Sequence, residues 1–419
     1  MNARQTGWLW ALLLGIPLWL LVWPAFDFFM LQVSRTFQYA GVMDFPIFLE
    51  HARNFIDIGV LYARDIQQYG PGAPIYKFPP LFGAMLVFCM EQGATDQALF
   101  SWALAAQEVC FFGSALLMVG MLYQYVRWPW AWLLPVVLIV ALLFPPNIEN
   151  VLRLQLDAYV LLLLTAALFF LLKEKNGLAG FCVGLAILLK VYPVVLLVYF
   201  LMRRQWAACV GVLVACLMVT TATLAMLGVA EHAYFLSSVL PVMLMESASA
   251  SLENLSLAAY VIYFQGDGPH VGYMAKPVVA ACVLVAGWGL FQSSRMPRDA
   301  ASPIRTALDV ALLITLVLIG LSNSWWNYQI LLLIPTVVIL VAAFAVRPVP
   351  WALVVFFALT CAVLFVTSHA VVKEMIPQAD FYKSVFYRGL TNYAFFIVLL
   401  VLQRRYCRPV SLSWGRPHE

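Results

Sequence analysis

Long apolar runs separated by short polar clusters make up most of this chain, and their lengths predict about twelve membrane-crossing helices. Runs such as Trp8 to Phe26, Ala98 to Leu122 and Ala307 to Leu321 approach the roughly 20 residues that a crossing helix needs. After the first run, hydropathy places spans at about 98–124, 130–146, 154–172, 177–190, 192–202, 206–228, 275–293, 304–321, 327–346, 350–368 and 391–403. The pair around Lys190 also reads as one long helix bent at Pro193. Pro79 to Met90 is too short to cross and is expected to be re-entrant or interfacial.

A different period appears after Gly41. Phe45, Phe48, Leu49, Ala52, Phe55 and Ile56 recur at helical spacing, while Glu50, His51, Arg53, Asn54 and Asp57 occupy the other face. This pattern predicts an amphipathic helix lying on the membrane surface. Asp44 precedes it, where a carboxylate can cap the free N–H groups. The segment Tyr69 to Pro80 is rich in turn formers and leads into the short apolar run.

Composition agrees with a membrane protein: 64% of the 419 residues are apolar and 11% are charged, against about a quarter charged in soluble domains. The net charge of +4 and the lack of a basic, aromatic-interleaved patch argue against a nucleic-acid binder. The eight cysteines lie mostly in apolar runs without a CxxC pair, which predicts packing residues rather than disulfides or a zinc site. Arg4 ahead of an uncleaved apolar run reads as a signal anchor.

Basic residues settle the expected orientation, because loops rich in Lys and Arg stay cytoplasmic. Lys173/Lys175, Arg203/Arg204, Arg295/Arg298/Arg305, Arg347 and Arg404/Arg405/Arg408/Arg416, with Arg4 and Arg127, put 14 of the 24 basic residues on one side. Both termini then face the cytoplasm, with a basic tail at 404–419, and the whole of 1–419 reads as one integral membrane domain. Long connections at about 32–97, 229–274 and 369–390 fall outside, where long loops on a rigid scaffold tend to carry sites.

Several polar groups are expected at the outer helix ends. Arg153, Gln155 and Asp157 open one span, with Arg153 and Asp157 spaced for a local ion pair. Lys190, followed by Tyr192 and Pro193, ends a short one, so that it sits below the surface and requires an anionic partner such as a phosphate. Lys77 reads as a snorkelling interfacial cation. Asn254 lies in the second long connection, and Ser322-Asn323-Ser324-Trp325-Trp326-Asn327-Tyr328-Gln329 forms a polar aromatic break whose Trp and Tyr are normally interface anchors and are also natural sugar platforms. An ionised, positioned Asp44 has the chemistry of a general base. Nothing indicates a divalent metal or a cofactor.

The ordered set Asp44, Lys77-Phe78-Pro79-Pro80, Gln155-Leu156-Asp157, Gly184-Leu185-Ala186 to Lys190-Val191-Tyr192-Pro193, Asn254-Leu255-Ser256-Leu257 and Ser324-Trp325 resembles the GT-C glycosyltransferases. The nearest branch is glycosyltransferase family 87, the polyprenyl-phosphate-mannose-dependent alpha-mannosyltransferases, over about residues 40–330. That resemblance implies an all-α, GT-C-like membrane bundle. It also implies an inverting transfer of mannose from a polyprenyl phosphate to a lipid or glycan acceptor, at the extracytoplasmic face of a bacterial inner membrane. Asp44 matches the family's catalytic base, and Lys190, Tyr192, Gln155, Arg153, Lys77, Asn254, Trp326, Asn327 and Tyr328 are candidates for the donor pocket. Asn327 stands where many members carry His. The competing readings are a transporter or flippase for a lipid-linked sugar and a non-enzymatic assembly subunit; a transporter more often shows paired halves, and no convincing internal repeat is present.

Overall fold

The computed structural model describes residues 17–31, 34, 44–68, 75–126, 130–245, 248, 254–265, 275–296, 302–345, 350–366 and 378–407. The expectations for Arg4, the start of the first span, Tyr69 to Pro74 and the tail beyond Cys407 lie outside them. The described residues form helices: α1 Pro17–Leu31, α2 Phe45–Ile58, α3 Pro80–Glu91, α4 Asp96–Val126, α5 Trp130–Leu143, α6 Pro145–Arg153, α7 Asp157–Leu172 and α8 Asn176–Leu189. They continue with α9 Val195–Met202, α10 Trp206–Tyr234, α11 Leu240–Met245, α12 Leu257–Gln265, α13 Ala275–Arg295, α14 Ser302–Gly320, α15 Leu333–Ala345, α16 Trp351–Val366 and α17 Gln378–Cys407. Strand-like pairing among them is limited to one isolated antiparallel bridge, Asn254 with Trp325.

The expected dozen crossings divides differently. Five helical stretches among the described residues are long and apolar enough to cross a membrane: Asp96–Met121, Trp206–Met245, Ala275–Arg295, Ser302–Gly320 and Trp326–Ala343. Others are shorter because polar or proline-bearing breaks interrupt them at Phe144/Pro145, Leu154 and Lys190. At 1.5 Å per residue, the 16-residue α7 spans about 24 Å and the 14-residue α8 about 21 Å. Both are shorter than the roughly 30 Å hydrocarbon core; the turn that joins them, Lys173–Lys175, is charged and exposed, whereas Asp157 and Lys190 at their other ends are buried. Two long connections also prove largely helical. Residues 229–245 continue α10 through a π-helical turn at Phe235–Val239 into α11, and α17 begins at Gln378 rather than near 391.

The main core joins α4, α7, α8, α14, α15 and α17 through residues such as Phe111, Leu164, Val183, Leu312, Ile334 and Phe395. Helices α8 and α10 approach until Gly180 lies against the Ala208 carbonyl, where an added Cβ would sit 1.9 Å from that oxygen. At the end of the bundle where α14 starts and α17 finishes, buried Asp309 accepts hydrogen bonds from Arg203 (2.7 Å), Ser293 (2.8 Å) and Gln403 (2.6 Å). The candidate site occupies the opposite end of these helices.

A second core belongs to the first long connection. The apolar face of α2 packs on protein instead of lipid: Phe45, Phe48, Leu49 and Ala52 are buried, and Phe48 meets the Tyr76, Phe78 and Phe82 rings edge-on. Helix α3 supplies the surface that the sequence assigned to the bilayer. Burial pushes the hydroxyls of Tyr62 and Tyr76 far above the ordinary phenol range. Both therefore stay protonated and donate to the Phe78 and Pro79 carbonyls, at 2.9 and 3.0 Å. His51 ties the same region together, its Nδ1 2.8 Å from the Leu61 carbonyl while Nε2 accepts the Tyr76 N–H at 3.3 Å. Helix α10 bends at Gly228 (φ 78°), and just beyond the bend buried Glu231 accepts the N–H groups of Leu61 (3.0 Å) and Tyr62 (3.4 Å) and pairs with Arg64.

Candidate functional site

Asp44 stands at the N-cap position of α2, yet its carboxylate makes no capping hydrogen bond. It faces the α6–α7 turn instead, accepting from Gln155 Nε2 and lying 3.6 Å from Arg153 Nη1. The Asp44 side chain is 28% exposed and that of Arg153 22%, so both remain partly accessible. The capping expectation is corrected in this respect: Pro46 at the start of α2 lacks one N–H that a cap would serve, and the oxygens are engaged elsewhere.

The turn that presents Arg153 and Gln155 is sharp. Leu154 closes α6 in the left-handed conformation, φ 52° and ψ 50°, an arrangement that costs a non-glycine residue about 1–2 kcal/mol. The expected local pair between Arg153 and Asp157 therefore does not form, since i,i+4 spacing brings side chains together only along an unbroken helix.

Asp157 begins α7, at the positive end of the helix dipole, and is fully buried. Lys190 Nζ donates to both its oxygens at 2.9 and 3.0 Å, Asn327 Nδ2 at 2.6 Å and the Tyr192 hydroxyl at 3.1 Å. The anion that Lys190 requires thus comes from within the chain. Its ammonium is further enclosed by the rings of Tyr328, 4.1 Å to the centroid, and Phe78, 5.3 Å. Extended backbone at Lys190 and the Pro193-bearing 3-10 turn Tyr192–Val194 stop α8 and start α9, which resolves the alternative of one bent helix in favour of a break.

The Ser-Trp break forms a 3-10 helix, Trp326–Leu332, opening with the residues that the sequence marked. Trp326 is buried beneath the Arg153 guanidinium, 5.0 Å from ring centroid to Cζ. Asn254 is buried and braces this break. Its Nδ2 donates to the Ser322 carbonyl at 3.1 Å and Asn323 Oδ1 at 2.9 Å, and its Oδ1 accepts from Ser256 N and Ser324 N at 3.1 and 2.9 Å. Lys77 is half-buried. Glu50 and Asp57 are exposed on the polar face of α2.

Residues 44, 153, 155, 157, 190, 192, 326, 327 and 328 therefore share one polar region, drawn from α2, the α6–α7 turn, the α8–α9 break and the Trp326–Leu332 helix. Sequence reasoning missed a second set bordering it. Glu149 on α6 pairs with fully buried Arg388 on α17, and Asn147 Nδ2 lies 3.4 Å from Glu108 Oε2 on α4. A carboxylate inside the apolar run Ala98 to Leu122 was a usable signal for Glu108, because ionisable residues at membrane depth are rarely idle. Among the described residues, no group of three or more His, Cys, Asp or Glu could hold a metal ion.

Residues 76–319, more than half of the chain, match the model of glycosyltransferase family 87. No curated protein and no solved structure matches. The matched segment runs from the approach to α3 through α14 and contains the α6–α7 turn and the Asp157–Lys190 pair. The chain belongs to glycosyltransferase family 87 and is a glycosyltransferase of GT-C type.

Proposed function

We propose that this glycosyltransferase moves a sugar, mannose by family resemblance, from a polyprenyl-phosphate donor to a hydroxyl of a lipid or glycan acceptor, with inversion at the anomeric carbon. The observation that carries the reading is the part-exposed Asp44 carboxylate, held by Gln155 beside Arg153 and unused as a helix cap. Asp44 takes the proton of the acceptor hydroxyl while that oxygen bonds to the anomeric carbon. The bond from that carbon to the phosphate oxygen breaks, and polyprenyl phosphate leaves with the bonding pair. A phosphate leaving group at neutral pH needs a cation rather than an acid, so one carboxylate suffices.

Arg153 is the cation assigned to the phosphate. It is part-exposed, it rests on Trp326, and its planar fork suits a phosphate's oxygens. Lys190 is assigned a scaffold role, since Asp157 already occupies it. Trp326 backs the Arg153 guanidinium, and half-buried Tyr328 is the ring assigned to the sugar, with Asn327 and Tyr192 behind it. The site is assigned to the outer, periplasmic side of a bacterial inner membrane because Lys173, Arg203, Arg305 and Arg404 gather at the other end of the helices that carry it.

Purified protein given synthetic polyprenyl-phosphate mannose and candidate acceptors tests this directly. Wild type should form product, and Asp44→Asn should lose about 10²–10⁴-fold in turnover, the usual contribution of a general base. Equal turnover would remove Asp44 from that role, and transfer from a nucleotide sugar alone would overturn the lipid donor.

A further inference from the structure

We infer that Arg388, on α17 and beyond the family match, is a positioning residue that holds Arg153 against Trp326. The inference rests on the assignment of these two to the donor site. Arg388 has no exposed surface and Glu149 has 1%. Both guanidinium Nη atoms face the Glu149 carboxylate, and Nε donates to Gln329 Oε1. Gln329 returns a hydrogen bond to the Arg388 carbonyl at 3.4 Å and another to Asn392 Oδ1 at 3.4 Å. One planar fork therefore joins α6, the Trp326–Leu332 helix and α17.

The placement of its two partners gives the fork a reach beyond them. Glu149 precedes Arg153 by four residues within α6, so the two share a face one turn apart. Gln329 follows Trp326 by three residues within a 3-10 helix, where i and i+3 eclipse. Fixing the separation of Glu149 and Gln329 thus fixes, one turn along, the separation of Arg153 and Trp326, which stack at 5.0 Å. An apolar contact would hold the elements together without setting the rotation of α6. A guanidinium held at two places sets it, with Nη1 hydrogen-bonded to Glu149 and Nη2 in charge contact with it, and Nε bonded to Gln329.

Removing Arg388 alone strands a buried carboxylate, so the informative variants are Arg388→Gln/Glu149→Gln, which is neutral, and Arg388→Lys, which keeps charge without the fork. Both should purify as monodisperse protein. Hydrogen–deuterium exchange should rise at least fivefold across 145–156 and 326–332 while 176–189 stays at its wild-type rate. With polyprenyl-phosphate mannose, kcat/KM should fall at least tenfold in both variants. Wild-type exchange in those two segments overturns the proposal, as does full turnover by the folded neutral variant. A wild-type enzyme that makes no product from this donor counts against the donor assignment, and the exchange measurement then decides the positioning role by itself.

Discussion

Neutralising Lys190 and Asp157 together separates two assignments of the phosphate-binding cation. Asp157 is buried with two contacts to Lys190, one to Tyr192 and one to Asn327. Lys190→Met leaves that carboxylate inside the protein with two neutral donors, and breaking a buried pair from one side costs about 3–5 kcal/mol. Asp157→Asn strands the ammonium instead. The Tyr328 and Phe78 rings then remain as its company, worth about 2 kcal/mol when desolvated. The double variant Lys190→Met/Asp157→Asn holds no orphan charge; its amide oxygen accepts from Asn327, while its NH2 replaces the oxygen that faced Tyr192 and donates to that hydroxyl once it rotates. It should lose only about 1–2 kcal/mol, the net worth of one or two hydrogen bonds. Unfolding in mixed micelles, followed by circular dichroism, should therefore show a coupling near the 3 kcal/mol upper end for neighbouring residues. Donor binding gives the second readout. If Lys190 gripped the phosphate, losing that charge-assisted contact would weaken binding about 10- to 160-fold, from roughly 1.5–3 kcal/mol at 1.36 kcal/mol per decade. The scaffold role predicts about threefold or less, with the large loss falling on Arg153→Gln. Strict additivity of the two single variants, or a donor loss in the double variant equal to that of Arg153→Gln, would refute the reasoning.

Two other substitutions test how the site is framed. Glu231→Gln keeps an acceptor for the Leu61 and Tyr62 N–H groups but loses the charge facing Arg64, about 1.5–3 kcal/mol for a charged hydrogen bond; limited proteolysis between Gly59 and Phe78 should accelerate, and an unchanged cleavage rate would count against the clamp. Gly180→Ala places a methyl 1.9 Å from the Ala208 carbonyl oxygen, so α8 and α10 must separate; a loss of about 1–3 kcal/mol or more is expected, and wild-type thermal stability in detergent would contradict the close approach.

The sequence made visible whatever obeys a local period or a local break. The α2 pattern at 45–58, the stop at Lys190-Val191-Tyr192-Pro193 and the polar break at Ser324–Tyr328 all appear as helical elements or interruptions where the residues placed them. Contacts between distant segments left no such mark. Asp44 meets Gln155 across 111 positions, Glu231 reaches Leu61 across 170 and Arg388 reaches Glu149 across 239. Hydropathy ranks each of these charges as a loop residue or an anomaly, because it sees the side chain but not its partner. The same limit made α2 look like a lipid-facing helix, since Phe48 finds α3 through tertiary packing that no period encodes.

In a regular α-helix, residues two apart point about 200° away from each other, given 100° per residue, and do not meet a common target. Arg153 and Gln155 nonetheless converge on one carboxylate, because the left-handed Leu154 between them turns the chain back on itself. A single backbone dihedral pair therefore decides whether Asp44 has two neighbours or one. Leu154 is also buried, 3% exposed, so its side chain anchors the turn in the core. A glycine there would relax the backbone while surrendering that anchor, and the convergence would be lost in a protein whose helices were otherwise intact.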